Sequence, residues 1–298
     1  MSTRRVIDID PELLQRSAAA AVHAAAQATA HMEAEAKCID ESGFAPLLAT
    51  LTEDEPYAWA IKPELLADGS VRVPIETTRE GVERWYRIIR GQSNVLGFEP
   101  LVEVRGNWYT FAEGISRGRV IDTGVESATE TVLLLPVTSG PGITGELCWW
   151  RMEPPGEPAA DLQRRRDQLA RHDRLVDALR TANADALLDT ADDGFQSAVR
   201  DYVDDTGTLI SLDGRDAHRA HYERFFDKYE VCSVELLDRV VQAWFVFAEL
   251  RFTVRPRQGA EAGRTIAFHT AEFLITTADG RFIARIGHGT DPASIGDE

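Results

Sequence analysis

Basic residues are scarce in this chain of 298 residues: 32 Lys and Arg stand against 49 Asp and Glu, a formal net charge of −17. Nucleic-acid binders neutralise phosphates with Lys and Arg, and anionic membrane surfaces make the same demand, so neither partner is expected. Cysteine is also scarce. Cys38, Cys148 and Cys232 are odd in number and far apart, which allows neither a zinc spacing nor a disulfide framework and points to a reducing cytoplasm. No stretch reaches the roughly 18 apolar residues of a membrane span. The alanine-rich run AAAAVHAAAQATA follows Asp8, Asp10 and Glu12 and contains His23 and Gln27. It reads as a long helix opened by Asp10-Pro11-Glu12, not as a secretion signal. Glycine-rich nucleotide loops, a Gly-x-Ser-x-Gly elbow and a His-Glu-x-x-His pair are missing too. Those absences leave cofactor-free proton transfer, with no cofactor and no metal expected.

What is present is a repeat. Trp-x-x-Phe-Ala-Glu occurs at Trp108–Glu113 and again at Trp244–Glu249, an offset of 136 residues. The offset holds without a gap from Arg79–Arg119 to Arg215–Arg255, with 11 identities in 41 positions, well above the roughly three that chance supplies. Each copy reads as a long helix, a short helix, a short strand and a third helix, then three or four long strands. Helices followed by an antiparallel sheet indicate α+β. A hairpin at Thr277-Ala278-Asp279-Gly280 joins the last pair of strands, and the segment 152–161, rich in proline and acid, separates the copies.

Two stretches, YVDDTGTLISLDGRDAHRAHYERFF and DGRFIARIGHGTDP, resemble the SnoaL-like proteins of the nuclear transport factor 2-like superfamily. The resemblance implies an α+β fold of two tandem cone-shaped units, each with helices packed on a curved antiparallel sheet around a pocket. The expected division is an N-terminal helix region (1–35), a first, supporting unit (36–154), a linker with the start of a helix (155–171) and a second unit holding the site (172–293). Such folds commonly pair, so an intramolecular pseudo-dimer is expected, and a homodimer is compatible with it.

The repeat serves as an internal control on function. His218 and His221 share the face of Tyr222 and Phe225 on the helix 216–229, where the first copy has Val82 and Trp85. A helix-edge histidine bonded to a backbone carbonyl is the plain alternative for either. His269 alternates with Ala271 and Phe273, Glu272 with Phe268 and Leu274, and parity does not say which face is inward. Glu249 and Arg251 share one face of their strand. Epoxide hydrolases of the limonene type resemble this in using Arg-x-Asp, here reversed and with Glu, while Glu113 repeats Glu249 and favours a structural ion pair equally. His288 and Asp291 end the last strand, where the resemblance implies a general base at Asp-Pro; a surface turn is the alternative. The position of the steroid-isomerase carboxylate falls on Ile210 and Ser211.

The expected function is therefore a lyase, dehydratase, cyclase or isomerase moving protons on a small, largely apolar carbonyl or hydroxy compound. Its catalytic residues would be His269, His221, Glu249, Arg251, Tyr222 and Asp291, with His218, His288, Trp244 and Phe247 binding the substrate. His269 faces His221 across the pocket in this scheme, and Trp85, Trp149 and Trp150 close the first pocket. A non-catalytic binding or assembly module and an epoxide hydrolase are the alternatives.

Overall fold

The computed structural model describes residues 11–38, 41–60, 63–67, 71–138, 140–152, 154–204, 206–259, 261–277 and 279–294. The first unit begins with α1 (Pro11–Lys37), a single tight turn (Glu41–Gly43) and α2 (Phe44–Leu48). Short strands β1 (Ala58–Ala60), β2 (Glu64–Leu65) and β3 (Val71–Arg72) precede α3 (Arg79–Gln92). Four longer strands close the unit: β4 (Ser93–Arg105), β5 (Tyr109–Val120), β6 (Glu126–Pro136) and β7 (Gly145–Trp150). The second unit repeats the order with α4 (Pro158–Arg180), α5 (Ala184–Leu188), β8 (Ala191–Arg200), β9 (Leu209–Asp213) and α6 (Gly214–Lys228). It ends with β10 (Tyr229–Val241), β11 (Phe245–Pro256), β12 (Ile266–Thr276), β13 (Phe282–Gly289) and β14 (Ala293–Ser294).

Local chemistry sets several of these boundaries. Thr78 caps α3 by accepting from the Gly81 N–H, and Asn183 caps α5 by accepting from Ala186. Pro158 occupies the first turn of α4, where its missing N–H costs nothing. The cap expected at Asp10, together with Glu153, Asp205 and Ala278 of the sequence motifs, lies outside the described residues. Among the described residues, no helix is long and apolar enough to cross a membrane.

The sheets run β1-β7-β6-β5-β4 and β10-β11-β12-β13-β8-β9, with β14 beside β12. They are mixed, not purely antiparallel, because β1 runs parallel to β7 and β8 parallel to β13. Helix α1 packs on β4 and β5 as α4 packs on β10 and β11. The boundaries expected at 35 and 171 therefore cut through elements that belong to the units. Each sheet buries one face against its own helices, and those faces form two separate cores.

The other faces of the two sheets meet in a third core, where Phe111, Leu134 and Trp149 join Phe245, Phe247 and Phe273. The strand period decides which residues go where. On β11, Phe245 and Phe247 point at the first unit, while Val246, Ala248, Leu250 and Phe252 point at the helices of the second. The repeated motif thus builds the joint between the units. Trp108 and Trp244 sit just before β5 and β11, and Glu113 and Glu249 follow on the outward parity.

Candidate functional site

The pocket of the second unit lies between α6 and the helix-facing side of its sheet. It is a hollow of about 50 Å³, lined among others by His221, Tyr222, Thr270, Glu272, Arg285 and His288. Glu272 and Arg285 come from neighbouring strands, and both are buried. Arg285 aims Nε (2.8 Å) and Nη2 (2.6 Å) at the same oxygen, Glu272 Oε2. Its Nη1 donates to Tyr222 Oη at 3.1 Å, so the tyrosine keeps its own proton for another acceptor.

Four buried polar atoms of residues lining this hollow have no partner among the described residues: Glu272 Oε1, His221 Nδ1, Thr270 Oγ1 and Arg200 Nε. Buried polar groups are seldom left unpaired, because each costs about 1–3 kcal/mol. Together they leave hydrogen-bonding capacity open on the hollow. Burial, with the Arg285 guanidinium adding to it, pulls the His221 imidazole down to about 4. His221 is neutral at pH 7 and offers a lone pair as well as a proton.

The remaining expected residues are distributed differently. His218 bonds Ser197 Oγ and the Gly214 carbonyl, both at 2.7 Å, and burial draws it down to about 4. It has the backbone-anchoring role given above as the plain alternative. His269, Glu249 and Arg251 do not reach the hollow. They take the outward parity, with His269 opposite Arg251 in register. His269 Nδ1 lies 3.0 Å from Glu249 Oε1, and Tyr109 of the first unit donates to Glu249 Oε2 at 2.9 Å. The pairing of His269 with His221 across a pocket is thus corrected, since the sheet separates them. Trp244 and Phe247, expected to bind substrate, are buried between the sheets. Asp291 is exposed and ion-paired to Arg200. His288 also takes the outward parity, touching both the hollow and a groove between the units. Burial, then Arg200, pulls it down to about 3.

The first unit is not closed. Its cavity, about 280 Å³, is larger than that of the second and is lined by Glu35, Tyr86, Thr131, Glu146, Cys148 and Trp150 among others. Trp149, expected to fill it, points instead at the other sheet. Tyr86 donates to Glu146 Oε2 at 2.6 Å, His31 Nε2 lies 3.1 Å from Tyr86 Oη, and Arg90 pairs with Glu35. Strand register makes Glu146 the counterpart of Arg285, just as Tyr86 is the counterpart of Tyr222. At this position the two floors carry opposite charge. Among the described residues, His31, Glu35 and Glu146 offer ligand atoms within 4.8 Å of one another and could hold a metal.

Sequence reasoning missed Glu272, Arg285, Glu35 and Glu146. The available signal was a charge inside an otherwise apolar strand, at FHTAEFLIT and RFIARIG, and the i, i+4 spacing of His31 and Glu35 on one helix.

Residues 172–285 match the model of the SnoaL-like domain family. No curated protein matches the chain. Among solved structures, one similar protein is SalBIII, an epoxide hydrolase/cyclase-like enzyme of pyran ring formation in the polyether salinomycin. It is 13% identical, with a TM-score of 0.36 over 45% of this chain and 98% of that one. A ketosteroid isomerase-like protein from Erwinia carotovora atroseptica is 15% identical, with a TM-score of 0.33 over 42% and 94%. A phenazine biosynthesis-related protein from Pseudomonas aeruginosa is 13% identical, with a TM-score of 0.35 over 45% and 86%. With helices covering a sheet and a pocket between them, residues 172–285 form a SnoaL-like domain.

Proposed function

We propose that the second unit is a cofactor-independent enzyme moving a proton on a small carbonyl or hydroxy compound, of the isomerase, dehydratase, lyase or cyclase type. The observation that carries this is the convergence of Glu272 Oε1, His221 Nδ1 and Thr270 Oγ1, all buried and without a partner among the described residues, on one hollow. Two Arg285 nitrogens fix one oxygen of Glu272 and leave the other facing the guest. That oxygen takes a proton from the carbon beside the carbonyl. The C–H electron pair moves into the carbonyl, and the oxyanion that develops is met by the O–H of Tyr222, polarised by Arg285. Return of the proton to another carbon gives an isomer. Transfer through His221 to a β-hydroxyl expels water and gives a dehydration product. Cys38, Cys148 and Cys232, odd in number and far apart in the chain, support a reducing compartment.

Deuterium uptake tests the reading with a panel of simple compounds in place of the natural substrate. Small enolisable ketones and hydroxyketones are incubated with the protein in D₂O, and exchange beside the carbonyl is followed by proton NMR. Exchange by the parent that drops at least a hundredfold in a folded Glu272→Gln variant supports it. No exchange across the panel, or equal exchange in the variant, overturns it.

A further inference from the structure

The first-unit cavity ends on a group of side chains that the proton-transfer reading does not use. His31 comes from α1, where Glu35 follows one turn later; Tyr86 and Arg90 come from α3; Glu146 comes from β7. His31 is 1% exposed and Glu146 6% exposed, so the group is held away from bulk water.

The hydrogen bonds around His31 define its orientation. Thr50 Oγ1 donates to the Leu47 carbonyl at 2.6 Å. Its oxygen therefore accepts from His31 Nδ1, 2.7 Å away, and Nδ1 carries a proton. Nε2 is the nitrogen turned toward Tyr86 Oη at 3.1 Å and Glu146 Oε2 at 3.5 Å. Metal-ligating histidines are typically held in this way, with the distal ring nitrogen donating to an oxygen that fixes tautomer and ring plane. Arg90 does the equivalent for Glu35, gripping Oε1. The donors of His31, Glu35 and Glu146 fall within 4.8 Å of one another, close to the ~4.2 Å or less that ligands at ~2.1 Å from one ion allow.

We propose that His31, Glu35 and Glu146 form a site for a first-row divalent cation, with its open coordination positions facing the 280 Å³ cavity of the first unit. One imidazole and two carboxylates suit zinc, manganese or iron better than calcium, which prefers an all-oxygen shell. Three protein ligands leave room for a water or a ligand oxygen from the cavity, as open metal sites do. Tyr86 Oη, already within hydrogen-bond reach of two of the three ligands, supplies either a fourth donor or an orienting hydrogen bond. Leu133 and Glu272 are counterparts in register, as are Glu146 and Arg285. An arginine at the second position excludes a cation there, so the site belongs to the first unit alone.

The test is metal binding by the full chain. Chelator-treated protein is titrated with Zn²⁺ by calorimetry and, separately, with Co²⁺ while the visible d–d bands are recorded. The expected result is one tight equivalent of Zn²⁺ and Co²⁺ bands of a four- or five-coordinate nitrogen–oxygen site. Glu35→Gln should weaken binding at least tenfold, and His31→Gln at least as much. His23→Gln, two turns earlier on the same helix, should change nothing. Absence of a stoichiometric equivalent overturns the proposal, as does binding that survives Glu35→Gln in a chain with parental circular dichroism. If His31→Gln fails to fold, the glutamate variant decides.

Discussion

Phe111 stacks on Phe247 at 3.9 Å between ring centroids, with planes 13° apart, and the two residues occupy the same position of the repeat. The flanking contacts mirror one another. Tyr109 meets Phe247 at 5.8 Å and 52°, and Phe111 meets Phe245 at 5.9 Å and 53°. Residue i touching j while j touches i is the signature of an isologous interface, here made within one chain.

Because this stack is fully buried at the joint, Phe111→Ala and Phe247→Ala should each cost about 3–5 kcal/mol. Urea unfolding measures it. The two losses should be similar, and the double variant should lose less than their sum, since both remove the same contact.

His269 and Glu272 separate the two faces of one strand. His269→Ala removes a hydrogen-bonded neighbour of half-buried Glu249 and should cost about 1 kcal/mol of stability. Its rate of deuterium exchange into ketones should equal the parent's. Tyr222→Phe should lower that rate by about 10²–10³ through loss of the oxyanion donor, and should also cost about 1–3 kcal/mol by leaving buried Arg285 Nη1 without this acceptor.

Acid should destabilise the protein through its buried histidines. His172, His218 and His221 are each drawn down to about 4, first by burial, from an ordinary 6.5. The unfolded chain therefore binds protons that the folded one refuses. Stability is fully present above pH 6.5 and is lost as the pH falls toward 4, by about 3 kcal/mol per group at most. Urea midpoints at pH 7, 5.5 and 4.5 should fall in that order, and less steeply in His221→Phe.

Gly287 faces the hollow from β13. A Cβ there would stand 2.5 Å from Glu272 Cβ and 2.7 Å from the Ala271 carbonyl oxygen. Gly287→Ala should cost about 1–3 kcal/mol through forced shifts of the neighbouring strand and should move Glu272. Loss of exchange activity beyond the loss of folded protein is the expected readout.

The doubling of the fold was legible because Trp108, Phe111 and Glu113 recur at one offset, and the element order follows from periodicity. The faces were not legible. Alternation identifies the inward side only when the other side is wet, whereas β11 and β12 are covered on both faces, so Phe268 and Phe273 look alike in sequence. The same ambiguity placed His269 in the pocket and left Glu272 out. The site of the first unit was hidden for another reason. His31 lies on a helix assigned outside the unit, and Glu146 lies 115 residues further along, so that only the folded chain brings them together.

The charge inversion between Glu146 and Arg285 has an evolutionary corollary. In a dimer of identical subunits every substitution appears twice, and a glutamate gained in one pocket is gained in the other. Joining the halves in one polypeptide ends that obligation. Each pocket can drift toward its own chemistry while the shared aromatic joint stays under common restraint, and dilution cannot part the specialised pair.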